Sequence, residues 1–328
     1  MNGPQTALLE VRNLRVEFPT RRGTLVAVDN VSFAIAPGEV LGVVGESGAG
    51  KSLTGMAIIG LLEPPGRIAS GEVLLEGGRI DNLRREALRH IRGRRIGAIF
   101  QDPLTSLDPL YTIGRQITET ILTHLPVSRR EARERAIALL AEVGLPAPER
   151  RLDHYPHQFS GGMRQRVVIA LALCAQPKLI IADEPTTALD VSTQAQIITL
   201  LQRLSREHRV AVMLITHDMG VIAETAHRVA VMYAGRIAEI GPVRSVIHSP
   251  NHPYTAGLMR SIPRGGRTGA RLAQIDGAMP RLDAIPPGCA FHPRCPQRFE
   301  PCDCERPPLF ETGDRLAACW LHGDACAT

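Results

Sequence analysis

Short, uninterrupted apolar runs punctuate the first 245 positions of the chain. Glu39–Gly45, Ile96–Phe100, Leu179–Asp183 and Val210–Thr216 are β-branched and apolar on both faces, which predicts strands buried on two sides in a mainly parallel sheet. Leu8–Val11, Leu14–Phe18, Val31–Ile35 and Val73–Leu75 predict an antiparallel β layer near the front. Between Gln101 and Cys174 the period lengthens. Ala132, Ala136, Leu139, Leu140 and Val143 recur at helical spacing; Ser128 and Glu131 make a capping box before them, and Gly144 stops the run. This predicts a helical insert at about 103–175, between two strands of the sheet. After about residue 245 Pro, Gly, Arg and Cys take over, and only Tyr254–Ser261 reads as helical. The expected organisation is an α/β domain over 1–245 and a small Cys-rich module over 246–328.

Composition narrows this little. Aromatic residues are 4% of the chain, so the core is expected to rest on Leu, Ile, Val and Ala. The net charge of +5 comes from basic residues scattered among acids, which reads as a solvated surface and not as a nucleic-acid stripe. The N-terminus lacks a basic-then-apolar leader, and no run reaches the roughly 18 apolar residues of a membrane span. The expectation is a protein that meets a membrane only through partners. The basic residues are almost all Arg, with lysines at Lys51 and Lys178. Arg and Lys are not equivalent where a compact ammonium is needed, so Lys51 stands out before any motif is considered.

Gly45-Glu46-Ser47-Gly48-Ala49-Gly50-Lys51-Ser52 fits G-x-x-x-x-G-K-[ST], between an apolar strand and an apolar helix. The glycines let backbone N–H groups close around phosphates, and the helix N-terminus adds its positive dipole end. Lys51 is the candidate to reach the β- and γ-phosphates, and the Ser52 hydroxyl to bind Mg²⁺. Leu179–Asp183 is an apolar strand ending in two carboxylates: Asp183, placed for Mg²⁺, and Glu184, the candidate to polarise the attacking water. Together these motifs give a P-loop nucleotide hydrolase without choosing among helicases, kinases, GTPases and transporters.

Phe159-Ser160-Gly161-Gly162-Met163-Arg164-Gln165-Arg166 narrows the choice. Ser160 caps an apolar helix whose free N–H groups would face an anion. The segment closely resembles the signature motif of ABC ATPases, although Phe159 and Met163 replace the commonest Leu and Gln. The resemblance implies a P-loop ABC ATPase core. It also implies that Ser160, Gly161 and Gly162 bind the γ-phosphate held by an opposite subunit, in a head-to-tail sandwich of two ATPs. It assigns Gln101 to Mg²⁺ and to reporting nucleotide occupancy to the helical insert. It assigns Ala188-Leu189-Asp190 to a loop crossing the dimer interface, and His217, about thirty residues beyond Glu184, to the γ-phosphate. Phe18 is the candidate to stack on adenine, with core packing as the competing reading.

The whole chain resembles one branch of that family, the ATPase subunits of dipeptide, oligopeptide and nickel importers. Gln101-Asp102-Pro103-Leu104-Thr105-Ser106-Leu107-Asp108-Pro109, Tyr155-Pro156-His157-Gln158 and Ser249-Pro250-Asn251-His252-Pro253-Tyr254-Thr255 carry the likeness. So do Gly288-Cys289-Ala290-Phe291-His292-Pro293-Arg294-Cys295-Pro296, Cys302 and Cys319. Cys289, Cys295, Cys302 and Cys319 are separated by five, six and sixteen residues, with no CxxC pair of an ordinary zinc ribbon. The resemblance implies a [4Fe–4S] cluster there; structural Zn²⁺ and free thiols are the competing readings, with Cys304 and Cys326 as spare thiols. Either metal would cross-link a tail with little apolar material of its own. Cys174, in an apolar helix, reads as core packing.

The expected function is therefore the ATP-hydrolysing subunit of a peptide-type importer, peripheral at the cytoplasmic face of the membrane. The implied partners are a second, different ABC ATPase subunit, two permeases and an external substrate-binding protein. The rivals are a soluble ABC ATPase acting on nucleic acid or the ribosome, and a chain that binds ATP without turnover. Peptide, nickel and glutathione importers look alike at this level.

Overall fold

The computed structural model describes residues 7–187, 189–261 and 274–323. Ala188, Cys326 and the N-terminal residues before 7 lie outside the described residues. The chain opens with β1 (Leu9–Thr20), β2 (Gly23–Ile35), β3 (Val40–Val44), α1 (Lys51–Ile58), β4 (Arg67–Leu75), β5 (Gly78–Arg79), α2 (Arg85–Ile91) and β6 (Ile96–Ile99). Five helices follow: α3 (Pro103–Ser106), α4 (Ile113–His124), α5 (Arg129–Glu142), α6 (Pro148–Arg151) and α7 (Gly161–Leu173). The alternation then resumes with β7 (Leu179–Asp183), α8 (Val191–His208), β8 (Ala211–Ile215), α9 (Met219–Thr225), β9 (Arg228–Tyr233) and β10 (Arg236–Pro242). Last come α10 (Val243–His248), α11 (Pro253–Arg260), β11 (Phe310–Glu311) and β12 (Leu316–Ala317).

Two compact units result. The first holds Ile35–Glu39 and Asn82–Leu214. In it β6 runs parallel to β7, pairing Ile96 with Leu179 and Ile99 with Ala182, and β8 lies on the other edge of β7. Every residue of β7 and β8 is buried, as a doubly covered parallel strand requires. The helical insert sits in this unit. Ser128 Oγ accepts the Glu131 N–H at 3.2 Å, and Ala132, Ala136 and Leu140 of α5 are buried against α4 and α7, while Gly144 takes φ 79° just beyond the helix. The Ser128 cap and the glycine stop are present; of the expected capping box only the Ser128 half forms, since Glu131 Oε1 accepts from Arg135 Nη2 at 2.8 Å, and Leu139 of the expected face is only half-buried.

The second unit holds Leu9–Ala34, Val40–Asp81 and the chain from Ile215 onward. Its antiparallel layer has the order β2-β1-β4-β5, with Leu9 opposite Leu75 and Val11 opposite Val73. Its other strands run β3-β9-β10-β12-β11, parallel only at β3-β9, so the tail's own β12 extends the sheet through Glu239–Ala317 and Ile240–Leu316 pairs. The tail holds more local order than its composition suggested: besides α11, α10 runs across residue 245.

Candidate functional site

The phosphate loop leaves β3 and enters α1 in the second unit. A Cβ on Gly45 would come within 2.3 Å of the Met232 carbonyl oxygen, and Gly48 and Gly50 hold φ 84° and 96°, so side chains are excluded where the loop must turn. Lys51 is buried; its Nζ donates to the Gly45 and Glu46 carbonyls at 2.8 and 3.0 Å, which curls the ammonium over the loop. Ser47 is exposed and Ser52 half-buried at the helix start. The Thr216 N–H donates to the Val43 carbonyl at 3.1 Å, which sets His217, exposed, beside the strand that feeds the loop. Phe18 is half-buried; a Cβ on Gly66 would come within 2.6 Å of its ring, so the ring packs close beside Gly66, just before β4.

The carboxylates and the signature segment lie in the first unit. Asp183 ends β7 and is buried. Glu184 follows with φ 45°, a left-handed conformation that a non-glycine residue adopts at a cost of about 1–3 kcal/mol. Its Oε2 accepts from Thr187 Oγ1 at 2.8 Å and from Gln101 Nε2 at 3.2 Å, so Gln101 and Glu184 are brought together. Thr187 was not legible as part of the site; a hydroxyl three residues past the carboxylate was the available signal.

Ser160 caps α7, its Oγ accepting the Met163 N–H at 3.4 Å. Asp190 caps α8, accepting from Thr193 N–H at 2.9 Å and Thr193 Oγ1 at 2.7 Å; these two bonds hold its carboxyl below the usual range. A Cβ on Gly162 would sit 2.6 Å from Thr193 Cγ2, so the second signature glycine is demanded by α8. The sequence placed Gly162 on a phosphate but said nothing of Thr193.

The tail requires a correction. The [4Fe–4S] cluster expected at Cys289, Cys295, Cys302 and Cys319 is not supported: among the described residues no group of three or more His, Cys, Asp or Glu side chains is placed to hold a metal ion, and Zn²⁺ fails on the same finding. These cysteines line one small cavity whose other walls include Phe291, Phe299, Trp320 and Leu321. Burial pushes the Cys289 thiol up to about 11 and Cys319 to about 12, and raises Cys295. Cys174 is buried in the core as expected, its thiol pushed up to about 12 by burial, and Cys304 is exposed.

Aromatic packing and one buried carboxylate hold the tail in place. Tyr254 packs on Tyr233 and Phe291 at centroid distances of 4.7 and 5.4 Å. Glu239, 0% exposed, accepts the N–H groups of Asn251 and His252 at 2.9 and 3.0 Å and faces Arg315 at 3.6 Å. His252 is buried, and its Nδ1 accepts the Tyr254 N–H at 3.0 Å, which requires an unprotonated nitrogen. Burial, helped by nearby His322, pushes its pKa down to about 4. The unfolded chain takes up that proton near pH 6.5, so folding stability falls as pH drops from 6.5 towards 4, by about 2 kcal/mol at pH 5. Urea unfolding at pH 7.5 and 5 should show this loss, and His252→Asn, which keeps the cap acceptor, should shrink it.

Comparisons with known proteins agree with this architecture. Residues 28–187 match the ABC transporter family, and residues 238–302 match the family described as oligopeptide/dipeptide transporter, C-terminal region. The chain is 48% identical to the dipeptide transport ATP-binding protein DppD of Bacillus subtilis, over 96% of this chain and 95% of that one. It is 49% identical to the oligopeptide transport ATP-binding protein OppD of Salmonella typhimurium, over 97% and 94%. Among solved structures it is similar to the dimeric, post-hydrolysis ATP-binding cassette MJ0796 bound to ADP and Pi, with TM-score 0.65 and 32% identity over 72% of this chain and 99% of that one. The phosphate loop, the paired carboxylates, the capped signature helix and these likenesses lead to one conclusion: the chain belongs to the family of ABC transporter ATP-binding proteins.

Proposed function

We propose that this chain is the ATP-hydrolysing subunit of a peptide importer, working at the cytoplasmic face of the membrane. The observation that carries this is the joining, in one chain, of an ABC cassette match with an oligopeptide/dipeptide transporter tail match. None of the described helices is long and apolar enough to cross a membrane, so substrate passage falls to partner permeases, supplied by an external binding protein. In this reading the cassette spans 1–245 with a helical subdomain at about 103–175, and the tail module spans 246–328.

Lys51 and the N–H groups of Gly45, Ser47, Gly48 and Gly50 hold the β- and γ-phosphates, and Phe18 stacks on adenine. The Ser52 hydroxyl, Gln101 amide oxygen and Asp183 carboxylate are the hard oxygen donors that suit Mg²⁺, which offsets phosphate charge when bound. Glu184 takes the proton of the attacking water, and His217 donates to the γ-phosphate. Ser160, Gly161, Gly162 and Asp190 serve the nucleotide of a second, different ATPase chain in a head-to-tail pair.

The insert meets the permeases. Leu104 and Leu110 are 61% and 78% exposed, with Tyr111 also exposed, an apolar edge just beyond Gln101. In cells lacking this chain, uptake of labelled di- and oligopeptides should fail and return with the wild-type chain. Leu110→Asp should hydrolyse ATP normally yet lower uptake about tenfold. Undiminished peptide uptake without the chain, or loss of nickel or glutathione uptake instead, would overturn the assignment. Scattered basic residues give no support to a nucleic-acid or ribosomal role.

A further inference from the structure

The tail reaches the phosphate loop at Glu46. The Glu46 N–H donates to the hydroxyl of Tyr254 at 2.9 Å, and Tyr254 is fully buried. Arg294 Nη1 donates to both Glu46 carboxylate oxygens, at 3.1 and 3.0 Å. This is not a mobile surface arginine: its side chain is 8% exposed, Nε donates to the Asp276 carbonyl at 2.8 Å, and Nη2 reaches the Ile275 carbonyl at 3.3 Å. Its guanidinium carbon also lies 5.8 Å from the Tyr233 ring centroid. The Glu46 carbonyl, in turn, accepts from Lys51 Nζ. One residue thus joins the tail to the lysine of the loop. Glu46 also brings a carboxylate into a loop built for phosphate, where an uncompensated negative charge repels the ligand and competes for Lys51.

We propose that Arg294 tunes the nucleotide site: by pairing with the Glu46 carboxylate it removes that repulsion, so that nucleotide affinity depends on the docked tail. This rests on the ATPase reading above. ADP titration of the full-length chain tests both. Arg294→Gln should raise the ADP Kd about tenfold, the scale of one unit charge a few ångströms from another in a part-buried site. The KM for ATP should rise in parallel while kcat changes less than about twofold. Glu46→Gln in the Arg294→Gln background should restore the affinity, because the charge to be neutralised is gone, and Arg294→Lys should fall between. Glu46→Gln alone should tighten ADP, a sign that holds even where Arg294 variants fold poorly. An unchanged Kd in Arg294→Gln, no recovery in the double variant, or weaker binding in Glu46→Gln would overturn the inference. A wild-type chain that binds no ADP would instead bring down the ATPase reading itself.

Discussion

Glu184→Gln is expected to lower ATP turnover about 10³-fold while leaving nucleotide affinity nearly unchanged, the range for removing a positioned general base. The carboxylate is set by three local facts: φ 45° at Glu184, the Thr187 hydroxyl at 2.8 Å and the Gln101 amide at 3.2 Å, both on Oε2. A glutamine carbonyl can accept from the same two donors, so the loop geometry survives and only proton acceptance is lost. The Gln101 contact adds a second consequence. Gln101, two residues before α3, bonds the Glu184 carboxylate, so a change at Glu184 is expected to reach the start of the insert and the exposed Leu104–Leu110 edge as well. Phosphate release and ADP binding, measured side by side, check the prediction. Turnover equal to that of the wild-type chain would show a subunit that binds ATP without using Glu184, and would favour a regulatory chain.

What the sequence revealed was local, and what it concealed was distant. The phosphate loop is eight consecutive residues between an apolar strand and a helix, so its glycines and Lys51 announced themselves, and the structure adds why Gly45 tolerates no Cβ. The cap at Ser128 and the buried runs at β3 and β7 are nearest-neighbour patterns of the same kind. The bond between Arg294 and Glu46 crosses 248 residues of chain and has no local pattern at all. The cysteines show the opposite failure. The family resemblance implied cluster ligands there, yet among the described residues no group of three or more His, Cys, Asp or Glu is placed to hold a metal ion, and the four cysteines line one small cavity with Phe291 and Trp320. The core rests on Leu, Ile, Val and Ala as the scarcity of aromatics implied, but composition could not show that Tyr233, Tyr254 and Phe291 gather in the docking of the tail.

Gly162→Ala should lower ATP turnover about 100-fold without weakening nucleotide binding to the phosphate loop, and Thr193→Ser should reverse much of that loss. The new methyl would lie 2.6 Å from Thr193 Cγ2, closer than carbon atoms approach, with the next contacts at 3.8 and 3.9 Å. Thr193 cannot simply yield, because its N–H and Oγ1 both bind the Asp190 carboxylate at the cap of α8. The clash is therefore passed to the α7 start or the Asp190 loop, and displacement of a reacting group by about 1 Å costs on the order of 100-fold in rate. Serine deletes the offending methyl while keeping the hydroxyl and amide that hold Asp190, which removes the clash without opening the cap. Steady-state hydrolysis of the two variants in the assembled transporter, with ADP affinity as control, decides the matter. If Thr193→Ser brought no recovery, the glycine would be needed for something other than room beside α8, such as direct backbone approach to a phosphate. Recovery would place the demand on the packing of the two helix starts that carry Ser160 and Asp190, and would make their mutual spacing the quantity that turnover reads.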